Sequence, residues 1–287
     1  VGGSTGQPTS NTTGVNLYQS TAHALNGDIT ITGTTEYGYA GVQIDGGGGT
    51  ATYEAKNVTI TGTRSYSGYA VDIYGDHVAG SQSVQISGVG GDVAISQSIV
   101  GSSGGTINIT SDVGTVDLDN AGIQAAGNIA ISGGMGAAPS YYDGVDLYNT
   151  SIVSTGGGVT ITGKSDGSDG VYIGGKVDIS SATGATVTGT NVSLGSYGAG
   201  IYIDCACVAG DGLTGTGNLT LNGTTAGDER GVVMYQSVVS RTGKLTVQGT
   251  STPPYPEAVY IGDSIVSSTD DMMVTGANGG VAIAYSS

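Results

Sequence analysis

Apolar residues recur along this chain in short alternating bursts, separated by Gly, Ser, Asn and Asp. Gly14-Val15-Asn16-Leu17-Tyr18-Gln19-Ser20 returns as Gly144-Val145-Asp146-Leu147-Tyr148-Asn149-Thr150 and as Gly231-Val232-Val233-Met234-Tyr235-Gln236-Ser237. Weaker copies begin at Val42, Val71, Val93, Val116, Val171, Ile201, Val259 and Val281. The unit carries three apolar beats. The first is V-x-[IL], as in Val171-Tyr172-Ile173; the second is short, as in Ser98-Ile99-Val100, Ser151-Ile152-Val153 or Ser264-Ile265-Val266. The third is V-T-I-T-G, as in Val58-Thr59-Ile60-Thr61-Gly62 or Val159-Thr160-Ile161-Thr162-Gly163. Period-two alternation of β-branched residues predicts strands, and the residues between them are turn formers. No beat is long enough for a helix.

Three short strands per unit bury their apolar faces best when each stacks on its own copy in the next unit. That arrangement makes parallel sheets around a common core of Val, Ile and Leu. The expected fold is an all-β parallel β-helix, a solenoid of about ten coils with three short strands per coil. A propeller needs about four strands per ~40 residues and a sandwich needs hairpin turns at fixed places in the unit; neither pattern is met. Length variation falls between beats, as at Asp45 to Asn57, which reads as a loop insertion. One β-helical domain is expected over 1–287, uncapped at both ends: the sequence opens inside a third beat and stops inside a first. The apolar edges this exposes predict a longer parent chain or end-to-end stacking.

Composition sharpens the picture. Of 287 residues 55 are Gly, and there is neither Phe nor Trp, which suits a narrow interior. Lys and Arg number 7 against 23 Asp and Glu, a net charge of −16, so nucleic acid is excluded as a partner. No apolar run reaches the ~18 residues of a membrane span. Two Cys, Cys205 and Cys207, do not make a disulfide scaffold. A bridge between them is strained, and Cys207 falls in an apolar slot of beat two.

The G-V-x-[IL]-x-x-S-x-V…G-x-V-T-I-T-G unit resembles the repeats of filamentous-haemagglutinin-like bacterial exoproteins of two-partner secretion. The likeness covers nearly the whole chain. It implies a right-handed β-helix, secretion to the bacterial surface or medium, and a shaft-like role. Nothing here matches the secretion domain that opens such proteins, nor any toxin or receptor-binding module.

The search for chemistry begins with carboxylates, since enzymes also use β-helices and glycoside hydrolysis needs two of them in position. Asp270-Asp271, Asp228-Glu229, Asp117/Asp119 and Asp166/Asp169 are candidates, but none sits beside basic residues able to hold an acidic glycan. They read as solvated turns, and no catalytic residue is assigned. His23 and His77, placed between beats one and two, read as exposed turn residues. Calcium is the only metal with any support; Asp143, Asp166 and Asp169 offer oxygen ligands, without the nonapeptide of calcium-binding β-rolls.

Two surface patterns stand out. Eight of the 17 Tyr fall in the turn from beat three to the next beat one: Tyr37, Tyr39, Tyr66, Tyr69, Tyr141, Tyr142, Tyr197 and Tyr255. Five more follow beat one: Tyr18, Tyr74, Tyr148, Tyr235 and Tyr285. A coil aligns them into an aromatic stripe suited to sugars or protein surfaces, or simply to stacking on one another. The other pattern is Thr at outward sites of beat three: Thr30/Thr32, Thr59/Thr61, Thr160/Thr162, Thr188, Thr220 and Thr246. Ice-binding faces look similar, but Gln85/Ser87, Ala130/Ser132, Asn222, Gln248 and Met273 break the series, and Thr is a good exposed strand residue anyway. The sequence therefore points to a non-enzymatic, extracellular bacterial adhesin shaft or filament subunit. Its expected partners are its own ends, a polysaccharide or a host surface. A carbohydrate-active enzyme and an ice-binding protein are the alternatives.

Overall fold

The computed structural model describes residues 2–3, 13–47, 51–66, 68–135, 142–194, 198–204, 212–227, 229–252 and 257–284. The chain forms a parallel β-solenoid of about nine turns. An eleven-stranded sheet, the first sheet, runs from Val15–Tyr18 to Gly280–Ala284, and an eighteen-stranded sheet carries the other two beats. The described residues contain no helix.

Register follows the repeat in the first sheet. Val15 pairs with Val42, then Val71, Val93, Val116, Val145, Val171, Ile201, Val232, Val259 and Val281, every start read from the sequence. Two residues on, Leu17, Ile44, Ile73, Ile95, Leu118 and Leu147 form a second column. Val145, Leu147, Val232 and Met234 are fully buried, and Val15 and Leu17 pack half-buried against the same core. Like side chains stack because alternation sends every second residue inward and the register places each on its copy.

The second sheet departs from the three-strand expectation. In the first coils beats two and three fuse into continuous 14-residue strands, Ala22–Thr35, Ala51–Arg64 and Asp76–Val89. From Ile99–Ser102 and Thr106–Ser111 onward they separate. The supposed insertion before Asn57 is thus partly strand. Tyr53 within it is 1 % exposed and occupies a core column between Ala22 and Val78. His23 and His77 likewise lie in strands rather than turns.

Two local devices recur at the corners of the described coils. After beat one a residue in the left-handed region turns the chain: Gln19, Gln97, Asn120, Asn149, Gln236 and Asp263 have φ between 47° and 51°. The next hydroxyl fastens the bend, as where Ser98 Oγ donates to the Ser96 carbonyl at 2.8 Å and Thr150 Oγ1 to that of Tyr148 at 2.9 Å. At the other corner beat three meets beat one through two glycines. A Cβ on Gly163 would sit 1.8 Å from the Gly170 carbonyl oxygen, and one on Gly170 would lie 2.1 Å from the Thr190 nitrogen. That close approach explains the Gly that ends V-T-I-T-G.

Two charged side chains lie almost wholly buried. Asp76 is 2 % exposed, and neither carboxylate oxygen has a well-formed hydrogen bond. Burial pushes it up to about 6, with the Ala51 amide and, less, that of Gly46 opposing. Arg241 is also 2 % exposed, yet its guanidinium donates to four carbonyls: Ile179 at 2.5 Å, Thr214 at 2.8 Å, Thr216 at 2.9 Å and Gly217 at 3.3 Å.

Candidate functional site on the first sheet

Between the inward columns, the first sheet turns one side chain per rung outward. In chain order this column reads Asn16, Gln43, Asp72, Ala94, Asp117, Asp146, Tyr172, Tyr202, Val233, Tyr260 and Ala282. Asp117 and Asp146 are therefore direct cross-strand neighbours of like charge, an unfavourable pairing for two carboxylates. Burial first, then Asp119, Asp92, Asp143 and Asp72, push Asp117 up to about 6. Burial first, then Asp117, Asp143 and Asp119, push Asp146 up to about 7.

The carboxylates continue into the corner before beat one. Asp143 Oδ1 accepts the Asp169 amide at 2.9 Å, and Asp169 Oδ1 accepts the Ala199 amide at 2.6 Å. Asp92 Oδ1 accepts the Thr115 amide at 2.9 Å, and Thr115 Oγ1 donates to the Asp143 carbonyl at 2.7 Å. Asp169 is raised to about 8 by burial and then by the charge of Asp143. Burial also raises Asp72, Asp92 and Asp143. Burial and mutual repulsion thus both work against full ionisation of this row.

Tyrosines flank the row as two patches rather than one stripe. Before it, Tyr37 and Tyr66 stack with centroids 4.8 Å apart and planes at 24°, and Tyr39 tilts against Tyr69 at 5.5 Å. Arg64 ties the two turns by donating to the carbonyls of Tyr66 and Tyr39. Beyond the row, Tyr172 and Tyr202 stack at 6.1 Å and 9°, and the Arg230 guanidinium lies 4.6 Å from the Tyr260 ring centroid. Arg230 also pairs with Glu229 at 3.3 Å and Glu257 at 3.4 Å. Sequence reasoning missed Tyr172, Tyr202 and Tyr260; the signal was their place as the central residue of V-x-I. Tyr142 stands apart, 74 % exposed, its carbonyl accepting Ser165 Oγ at 2.7 Å. Tyr141, Tyr197, Tyr255, Tyr285, Cys205 and Cys207 lie outside the described residues. In each stacked pair one ring face is covered by its neighbour, leaving less aromatic face for a sugar than the sequence suggested.

Of the calcium candidates, Asp143 and Asp169 are neighbours on successive rungs. Asp143 and Asp169 spend oxygens on backbone amides, and Asp166 lies exposed in the turn between them. Among the described residues no three His, Cys, Asp or Glu side chains converge to hold a metal ion. His23 Nδ1 lies 3.2 Å from Glu54 on an exposed face. A groove of about 610 Å³ opens on the second sheet, away from the carboxylate row; Leu25 and Ile99 line it with Ala79, Gly101, His77 and Gln124. The beat-three threonines align in register, Thr160 on Thr186 and Thr162 on Thr188, but Ala130 and Met273 interrupt their column. Among the described residues no helix is long and apolar enough to cross a membrane.

No protein-family profile, curated protein or solved structure matches the chain. What is shown is the β-solenoid fold alone.

Proposed function

We propose that this chain is a structural, adhesive β-solenoid: a shaft segment of an extracellular bacterial surface protein, using the outer face of its first sheet for contact. The observation that supports this best is the unbroken register of that face. Most rungs present a carboxyl, phenol or amide group at strand spacing, with Ala94 and Val233 as the apolar interruptions. Many weak contacts in fixed register add up to avidity without any deep pocket. Continuation along the axis, by a longer chain or another copy, belongs to the same reading. So do secretion and kinship with the haemagglutinin-like exoproteins.

The test is surface binding of the whole chain to immobilised neutral, amino-bearing and acidic polysaccharides. Retention should follow neutral or amino-bearing surfaces and fall when Asp117→Asn and Asp146→Asn are combined with Tyr142→Ala. Equal retention by the triple variant would refute the assigned face.

A second reading, glycan hydrolysis, is favoured by one observation. Asp117 and Asp146 are neighbouring carboxyls held at about 6 and about 7, so one can keep a proton while the other is ionised. Against it, the groove lies on the other sheet. Release of reducing ends that disappears in either Asp→Asn single variant would establish this reading in place of the first.

A further inference from the structure

We propose that Tyr37 and Tyr66 form an oxidative cross-linking site, a pair of phenols poised to join as dityrosine and lock the first rungs of the solenoid covalently. They sit in successive turns, 29 residues apart in the chain, and both rings are open to solvent, at 44 % and 54 % exposed. Their planes lie 24° from parallel with centroids 4.8 Å apart, and their hydroxyls come to 3.4 Å. The rings thus run in the same sense and converge toward the phenol end. Their ortho carbons, which carry spin density in a phenoxyl radical, flank the hydroxyl-bearing carbons at that end.

The surroundings suit the chemistry. The carboxylate of Glu36 stands beside the Tyr37 phenol and can take the proton as an electron leaves. Arg64 holds the two turns in register through the carbonyls of Tyr39 and Tyr66. The other pairs are less suited: Tyr39 and Tyr69 are tilted by 56°, and Tyr172 and Tyr202 are both half-buried with centroids 6.1 Å apart.

The step needs an oxidant, which a haem peroxidase with hydrogen peroxide supplies. Each phenol gives up one electron and one proton. The two radicals join through a bond between ortho carbons, and the hydrogens on those carbons shift to restore both phenols. The peroxide is reduced to two waters, and the chain loses two hydrogens in all. Holding the partners in contact makes the coupling unimolecular, which favours it over coupling between molecules.

The experiment treats the whole chain with haem peroxidase and a limiting amount of peroxide, then reads dityrosine fluorescence, chain mass and linked peptides. The expected product is a monomer lighter by two hydrogens, with the Tyr37 and Tyr66 peptides joined and a yield independent of protein concentration. Tyr37→Phe and Tyr66→Phe should each abolish it while keeping the stacked ring, and Tyr142→Phe should leave it intact. Cross-links that join different molecules, rise with concentration or run mainly through Tyr142 or Tyr18 would overturn the assignment, as would an unlinked monomer after complete peroxide consumption.

Discussion

Asp76 and Arg241 are equally buried charges in one solenoid, yet the interior treats them in opposite ways. Arg241 reaches four carbonyls and remains a cation; burial lowers it only to about 10, with Asp178 pulling the other way. Asp76 finds no well-formed bond, and burial lifts it toward neutrality. The difference follows from the backbone. Parallel ladders consume amide protons rung by rung, and each amide has only one. A carbonyl has two lone pairs, so a turn can still accept a guanidinium. The interior of this fold therefore has places for a buried cation and few for a buried anion.

The largest test of that asymmetry is Arg241→Ala. It leaves four carbonyls without their donor and opens a cavity, so stability should fall by about 3–5 kcal/mol in chemical denaturation. A loss below about 1 kcal/mol would mean that the carbonyls find other donors. Next is an anion placed where none exists. Val145→Asp sits in a column of apolar side chains and should cost about 3 kcal/mol or more; unchanged melting would undo the assigned register.

Removing the anion should do the reverse. Asp76→Ser matches Ser98, its neighbour on the next rung, and should raise stability at pH 8 by about 2 kcal/mol while changing little at pH 4. The sign is fixed by the raised folded value. A carboxyl at about 6 against 3.8 unfolded contributes stability that is complete below pH 3.8 and is lost as pH rises through 6. Asp117, Asp146 and Asp169, at about 6, 7 and 8, act in the same direction. The melting temperature of the natural chain should accordingly climb as pH falls from 8 to 5, and Asp76→Ser should flatten the lower part of that climb. A profile that falls over this range would contradict it. The smallest effect is Tyr53→Phe, which deletes a buried hydroxyl without a partner and should stabilise by about 0.5–1 kcal/mol. Destabilisation instead would point to a bridging water.

The first sheet was readable from its residues because V-x-[IL] fixes both which residues face inward and where each rung begins. Beat two was not. Ser98-Ile99-Val100 and Ser151-Ile152-Val153 look alike, but Val100 pairs through Ile123 with Ile152, one place out of step. Ile99 is consequently 56 % exposed while Ile152 is buried. A one-residue slip reverses the faces, and three letters carry too little pattern to detect it. The buried charges were hidden for another reason: Asp76 follows Gly75 and looks like a turn residue, and Arg241 looked like one more scattered base. At the candidate site, turn position singled out Tyr37, Tyr39, Tyr66 and Tyr69, of which Tyr69 opens the strand Tyr69–Tyr74 instead of lying in the turn. The carboxyl row needed three dimensions, since its members come from separate rungs.

The stacked turn after beat one also has a mechanical consequence. Gln97 donates its amide to the Asp119 carbonyl and Asn120 to that of Tyr148, so even the bends are fastened only to the adjacent rung. Among the described residues the side chain that ties three rungs together is Arg241, which bonds to Ile179 two rungs back and to Thr214 between; elsewhere tension meets bonds from one rung to the next. The rod should pay out like a coil of rope, one loop at a time, each releasing about 90 Å of slack at the extended length per residue. A pulling trace should show a series of steps whose lengths follow the varying coil lengths, instead of a single rupture.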